Sequence, residues 1–77
     1  MREVLEYVAR SLVDEPDAVE VTEVEGDGSV LLQLRVAPDD MGKVIGKRGR
    51  TVKAIRSVVR AAGSRQGIST MVEIVEE

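Results

Sequence analysis

The chain has 77 residues, 43% of them hydrophobic and 32% charged, with a formal net charge of −3; this is the composition of one small folded domain, and it excludes a disordered chain and a two-lobed enzyme. It holds no cysteine and no histidine, which excludes disulfides, zinc sites of the usual ligand set, and Cys or Ser nucleophiles served by an imidazole base. No apolar run approaches the ~20 residues that span a bilayer, and the N-terminus lacks the basic start and long apolar stretch of a signal peptide, so a cytoplasmic location is expected.

Residues 2–13 place Val4, Leu5, Val8 and Leu12 at helical spacing with Glu3, Glu6 and Arg10 between them, which predicts an amphipathic helix with Tyr7 near its apolar edge. Asp14-Glu15-Pro16-Asp17 ends it, because proline disfavours helix at the residue before it. Residues 18–25 read as a short strand in which Val24 breaks the alternation of Val19 and Val21, as a bulge would. Gly26-Asp27-Gly28 is a hairpin signal, and residues 29–37 follow as a strand with Val30, Leu32, Leu34 and Val36 on one face.

Pro38 stops that strand, and Asp39 or Asp40 is placed to cap a short helix from Met41 to Ile45. After Gly46-Lys47-Arg48-Gly49, helical spacing resumes from Arg50 to Ala62, with Val52, Ile55, Val59 and Ala62 inward and Lys53, Arg56 and Arg60 on another side. Gly63 reads as the helix stop, residues 63–70 as a polar loop, and Met71 to Glu76 as a last strand with Val72 and Ile74 inward. The expected fold is α+β in the order α-β-β-α-α-β. With 14 valines, 5 leucines and 4 isoleucines against a single aromatic ring, its thin core must be packed by aliphatic and mostly β-branched side chains.

The small net charge hides a segregation along the chain. Residues 1–41 carry a net −8, residues 42–65 carry eight basic residues and no acidic one, and residues 66–77 add −3. A polyanion feels the local field within about a Debye length, ~8 Å in physiological salt, so a clustered +8 can attract phosphate despite the acidic remainder. The plainer reading is a solvated helix face whose charges pair with neighbouring carboxylates. Gly46 and Gly49 bracket Lys47 and Arg48 between two helices. Glycines there let a phosphodiester backbone approach the main chain, the N–H groups opening the helix at Arg50 favour an anion, and the two basic side chains supply charge-assisted contacts.

The run Val44-Ile45-Gly46-Lys47-Arg48-Gly49-Arg50-Thr51-Val52-Lys53-Ala54-Ile55 resembles the Ile-Gly-x-x-Gly core of the KH domain. The helix and strand ahead of the β-α-α-β unit resemble its type II, prokaryotic arrangement, across essentially the whole chain. The resemblance implies one KH domain over residues 1–77, with a core unit over 29–76 and an N-terminal extension over 1–25, and a three-stranded sheet with helices on one face. It implies a non-catalytic protein that clamps the backbone of about four single-stranded nucleotides beside an apolar groove. Gly46, Lys47, Arg48 and Gly49 then form the clamp; Arg50, Lys53 and Lys43 add phosphate contacts, and Arg65 belongs to the opposite wall. Ile45 and Ile55 are assigned to the core. The resemblance also implies dimerisation, with a second copy or with another KH protein, for which the small residues Ala54, Ser57 and Ala61 are candidates. No cofactor or metal is implied.

Two other readings fit parts of the pattern. Two helices around a glycine turn with a basic second helix also describe a helix-turn-helix DNA reader, although that helix has no Asn or Gln to read adenine. A small-residue strip also suits a protein-interaction module. Phosphate-loop spacing is not met, since Gly42-Lys43-Val44-Ile45-Gly46-Lys47-Arg48 departs from the required pattern.

Overall fold

The protein is described here by a computed structural model, which covers residues 1–75. Its elements are α1 (Arg2–Leu12), β1 (Glu20–Gly26), β2 (Ser29–Arg35), α2 (Met41–Ile45), α3 (Arg50–Arg65) and β3 (Ser69–Ile74), joined in part by single 3-10 turns. The sheet order is β1-β2-β3, with β1 antiparallel and β3 parallel to the central strand. A parallel neighbour needs a crossover, and α2 and α3 form it. The α+β order and the three-stranded sheet agree with the sequence expectation.

Alternation along β2 decides which side of the sheet is covered. Val30, Leu32 and Leu34 are buried and meet Leu5 and Ala9 of α1, Val44 of α2, and Ile55 and Val59 of α3 in one core. The intervening Leu31, Gln33 and Arg35 are only partly buried. All three helices therefore lie against one face, while Val24, Leu31 and Met71, paired in register across the strands, form an apolar row on the other.

Several local expectations are corrected. The buried seam of α1 is Leu5 and Ala9, whereas Tyr7 is 75% and Leu12 37% exposed, because the helix meets only one flank of a three-stranded sheet. Val24 forms no bulge: β1 pairs with β2 one residue to one from Glu20 opposite Arg35 to Gly26 opposite Ser29, and Val24 falls on the open face. In the hairpin turn only Gly28 takes a positive φ, of 70°. The strand β2 ends at Arg35 rather than 37, and β3 begins at Ser69; Glu76, its expected end, lies outside the described residues.

Gly63 does not stop α3. The helix runs on to Arg65, and Gly67, with φ 72°, is the residue that turns the chain, its N–H bonded to Ser64 O at 3.0 Å and that of Ile68 to Gly63 O at 2.9 Å. Gly63 is buried because β3 approaches it closely: a Cβ there would lie 2.6 Å from Thr70 Cγ2 and 2.9 Å from both Ile68 O and Met1 Sδ. Helix propensity alone favours alanine over glycine by about 1 kcal/mol. Here Gly63→Ala is expected to destabilise instead, by about 1–3 kcal/mol for overpacking, as read from the urea midpoint; a stabilised variant would show that α3 and β3 separate freely at this point.

Candidate nucleic-acid interface

The loop between α2 and α3 is built from backbone conformations that side chains resist. Gly46 has φ 76° and ψ 172°, a region essentially reserved for glycine. A Cβ there would lie 2.1 Å from Thr51 Oγ1 and 2.9 Å from Thr51 N, so the end of α2 rests directly on the first turn of α3. Arg48, at φ 58° and ψ 26°, is left-handed without being glycine, which costs about 1 kcal/mol. Gly49, at φ 73°, precedes α3 as its N-cap and offers no capping side chain. The Gly49 N–H donates to Gly46 O at 3.1 Å and closes the loop.

At the apex, Lys47 and Arg48 are exposed. Among the described residues no ion pair or hydrogen bond engages their side chains, or those of Arg50, Lys53 and Arg60. The pairing expected of a merely solvated charged face is therefore absent along this stripe. The loop presents cations next to a helix N-terminus whose leading N–H groups no side chain caps, an arrangement suited to phosphate oxygens.

Beside the loop lies a depression of about 440 Å³. Met41 and Ile45 of α2 and Val52 of α3 make an aliphatic wall, Val72 and Ile74 of β3 form the other, and Leu31 and Met71 contribute at the rim. Its charged lining residues are Arg56 and Glu73. Because Ser69 N–H and Val75 N–H both donate inward, to Gly28 O and Leu34 O, the alternation of a parallel strand turns the backbone groups of Thr70, Val72 and Ile74 toward the free edge. Arg56 Nε donates to Val72 O at 3.3 Å.

The structure gathers some expected site residues and disperses others. Gly46, Lys47, Arg48, Gly49, Arg50 and Lys53 share the loop and the first turn of α3. Lys43 is engaged elsewhere: its ammonium pairs with Asp14 and lies 3.5 Å from Asp40. Asp40 does not cap α2 with its side chain; its carboxylate accepts the N–H groups of Asp14 at 3.2 Å and Glu15 at 3.1 Å. Arg65 ends α3, fifteen residues beyond Arg50, so ~1.5 Å of rise per residue sets it about 22 Å from the start of the helix and the Gly46–Gly49 loop. There it borders a separate shallow depression with Val4, Val58 and Ala61. Ala54, Ser57 and Ala61 are exposed along the outer side of α3, with Val58, half-exposed, beside them. Ile55 is in the core, whereas Ile45 is only partly buried and faces the groove.

A family model describing the KhpA/KhpB KH domain matches residues 2–74. The chain belongs to this family. Proteins named RNA-binding protein KhpA are similar over nearly the full length of both chains: that of Clostridium acetobutylicum is 55% identical over 97% of this chain and 100% of its own. That of Chlamydia trachomatis is 44% identical over 100% of this chain and 99% of its own. Among solved structures, Era from Aquifex aeolicus bound to GDP and aluminium fluoride superposes with a TM-score of 0.65 at 22% identity, over 95% of this chain and 28% of that one. Era in complex with MgGDPNP and nucleotides 1506–1542 of 16S ribosomal RNA gives 0.67 at 21% identity, over 99% and 30%. These similarities show a shared fold, and this chain spans less than a third of the Era chains.

In this KH domain the groove residue that the sequence reading leaves out is Arg56. Its place on the basic side of α3 is legible from helical spacing, but its contact with Val72 depends on how α3 lies against the edge of β3. Asp40 and Lys43 form a second polar unit. Burial pushes the Asp40 carboxyl up, but the two backbone N–H groups and the charge and hydrogen bond of Lys43 outweigh it and hold it below its ordinary 3.8. The hydrogen bond to Asp14, opposed by burial and helped by the charges of Asp14 and Asp40, raises the Lys43 ammonium above its ordinary 10.5.

Two outcomes follow from this geometry. Gly46→Ala, which meets both the forbidden φ and Thr51, is expected to cost about 3 kcal/mol, and Gly49→Ala, which meets only the φ penalty, about 1 kcal/mol; equal losses in urea unfolding would show that the Gly46–Thr51 contact yields. A depressed carboxyl contributes stability that is present above its unfolded pKa and lost as pH falls, and a raised ammonium one that is present below its unfolded pKa and lost as pH rises. The Asp40–Lys43 unit is therefore expected to hold its full contribution between about pH 5 and 9 and to lose it below 3.8 and above 10.5. Asp40→Asn should lower the melting temperature at pH 7 and flatten its acid decline, and an unchanged decline would assign acid sensitivity to other carboxylates.

Proposed function

We propose that this protein is a non-catalytic, cytoplasmic binder of single-stranded RNA that holds the sugar-phosphate backbone with its Gly-Lys-Arg-Gly loop, as a single KH domain over residues 1–77. The observation that carries the reading is the pair of exposed cations at Lys47 and Arg48, unpaired among the described residues, on a loop held by the positive φ of Gly46, Arg48 and Gly49 beside an aliphatic groove. The names of the KhpA relatives support it, as does the ribosomal RNA in one structure that shares the fold. Phosphate contacts position a ligand and carry no sequence information directly, so recognition by the clamp is largely sequence-independent, suiting an RNA chaperone or a post-transcriptional regulator.

One clamp of about four nucleotides makes few contacts, and a second linked site would multiply affinity through effective concentration. We therefore place the protein in a homodimer or in a pair with a KhpB-type KH protein. The exposed strip of Ala54, Ser57 and Ala61 next to half-exposed Val58 favours α3 as the surface used. Lys43, held by Asp14 and Asp40, contributes to this function by positioning α2, and Arg65 lies outside the groove.

The test is fluorescence anisotropy of a labelled single-stranded RNA against duplex DNA of matched length, with wild type and the Lys47→Asp, Arg48→Asp double variant. Neutralising three to five phosphates should make log K fall with log salt at a slope of about −2 to −3.5, using ~0.7 per contact on single strands. The double variant should lose most binding while keeping its far-UV circular dichroism. Stronger binding to duplex DNA would favour a helix-turn-helix use of α3, and equal binding by wild type and variant would move the function to a protein-contact surface.

A further inference from the structure

Among the described residues one cation lines the groove, and its orientation is set from the opposite wall. Arg56 leaves α3 one turn after Val52, is partly buried, and donates its Nε–H to the Val72 carbonyl at 3.3 Å. That contact occupies the outward-facing acceptor at the middle of the β3 edge. It also leaves the four N–H bonds of the two Nη nitrogens as a planar fork that meets no acceptor among the described residues. Around it, the side chains of Ile45, Val52 and Met41 are apolar, which accommodates the flat face of a nucleobase but offers its edge no hydrogen-bond donor. The other charged side chain at the groove, Glu73, is exposed and already accepts from Gln33 Nε2 at 3.1 Å.

We propose that Arg56 makes this groove select a base with two adjacent in-plane acceptors, the O2/N3 edge of cytosine or the O6/N7 edge of guanine, over adenine and uracil. The inference rests on the RNA-binding reading and adds to it a residue that discriminates among bases. A fork of parallel N–H donors needs two neighbouring acceptors to be fully satisfied. Adenine places its amino donor beside both N1 and N7, so one prong meets a donor. Uracil separates its two carbonyls by N3–H. The clamp cannot supply such a preference, since every nucleotide has the same phosphate.

The experiment measures anisotropy with three labelled twelve-nucleotide RNAs of alternating sequence, (UC)6, (UG)6 and (UA)6, against wild type, Arg56→Lys, Arg56→Met and the Lys47→Asp, Arg48→Asp variant. Wild type is expected to bind (UC)6 or (UG)6 at least about five-fold more tightly than (UA)6, the lower end of what one bidentate arginine–base pair gives; which of the two leads identifies the edge read. Arg56→Lys keeps the charge but not the fork, and is expected to reduce the preference below about two-fold. Arg56→Met should also remove the preference. Equal binding of the three RNAs by wild type, or a preference that survives in Arg56→Lys, overturns the inference and leaves the clamp reading standing. A Lys47→Asp, Arg48→Asp variant that binds all three like wild type overturns the clamp reading instead, and wild type that binds none of them overturns both.

Discussion

The buried carboxylate of Asp40 is the constraint on which the groove depends. It sits at the junction of β2 and α2 and accepts two backbone N–H groups from the segment that leaves α1, while Lys43 on α2 neutralises it. A buried anion tolerates few arrangements, because each lost donor leaves it uncompensated. One side chain thus ties two parts of the chain that are distant in sequence, the exit from α1 and the start of α2, and fixes where α2 starts. Five residues are too few to make a helix stable by itself, so α2 owes its place to this tie and to buried Val44. From that placement follow the wall made by Met41 and Ile45 and the point at which Gly46 must turn.

The turn itself concentrates conformational cost in the loop that raises Lys47 and Arg48. Gly46 is excluded from carrying a side chain by Thr51, and Arg48 is held left-handed. Such strain persists only where the surroundings over-determine it, and here they do, through the Gly46–Gly49 hydrogen bond below the apex and the packed helices on either side. The basic side chains are therefore presented by a constrained backbone, with little entropy left to lose in any contact they make.

Much of this was legible in the sequence, for identifiable reasons. Helix and strand periods announced the elements because each has one covered face, and the two glycines with their basic residues announced the loop. What misled were residues whose role is set by packing across the fold. Gly63 carries the composition of a helix stop, yet β3 needs its missing side chain. Asp40 has the position of a helix cap, yet its carboxylate turns to Asp14 and Glu15, partners 26 and 25 residues away that no local pattern reveals. Lys43 and Arg65 share the sign of the loop but point to other partners or places, and Arg56 reaches the groove because α3 lies against the edge of β3. Charge is readable along a chain; the surface on which it lands is decided by tertiary contacts.

The strand order has a further effect on how the molecule meets a partner in solution. β1 lies at the edge of the sheet remote from the groove and carries Glu20, Glu23 and Glu25, with Asp27 in the turn that follows it. The cationic loop and the free edge of β3 lie on the other flank. A body whose two flanks differ so much in sign has a large dipole moment, and in the field of a polyanion it is turned before it touches. Collisions led by the acidic flank are repelled, and those led by the loop are drawn in. The acidic flank thereby acts as a rudder, raising the fraction of encounters with a polyanion that begin from the cationic side.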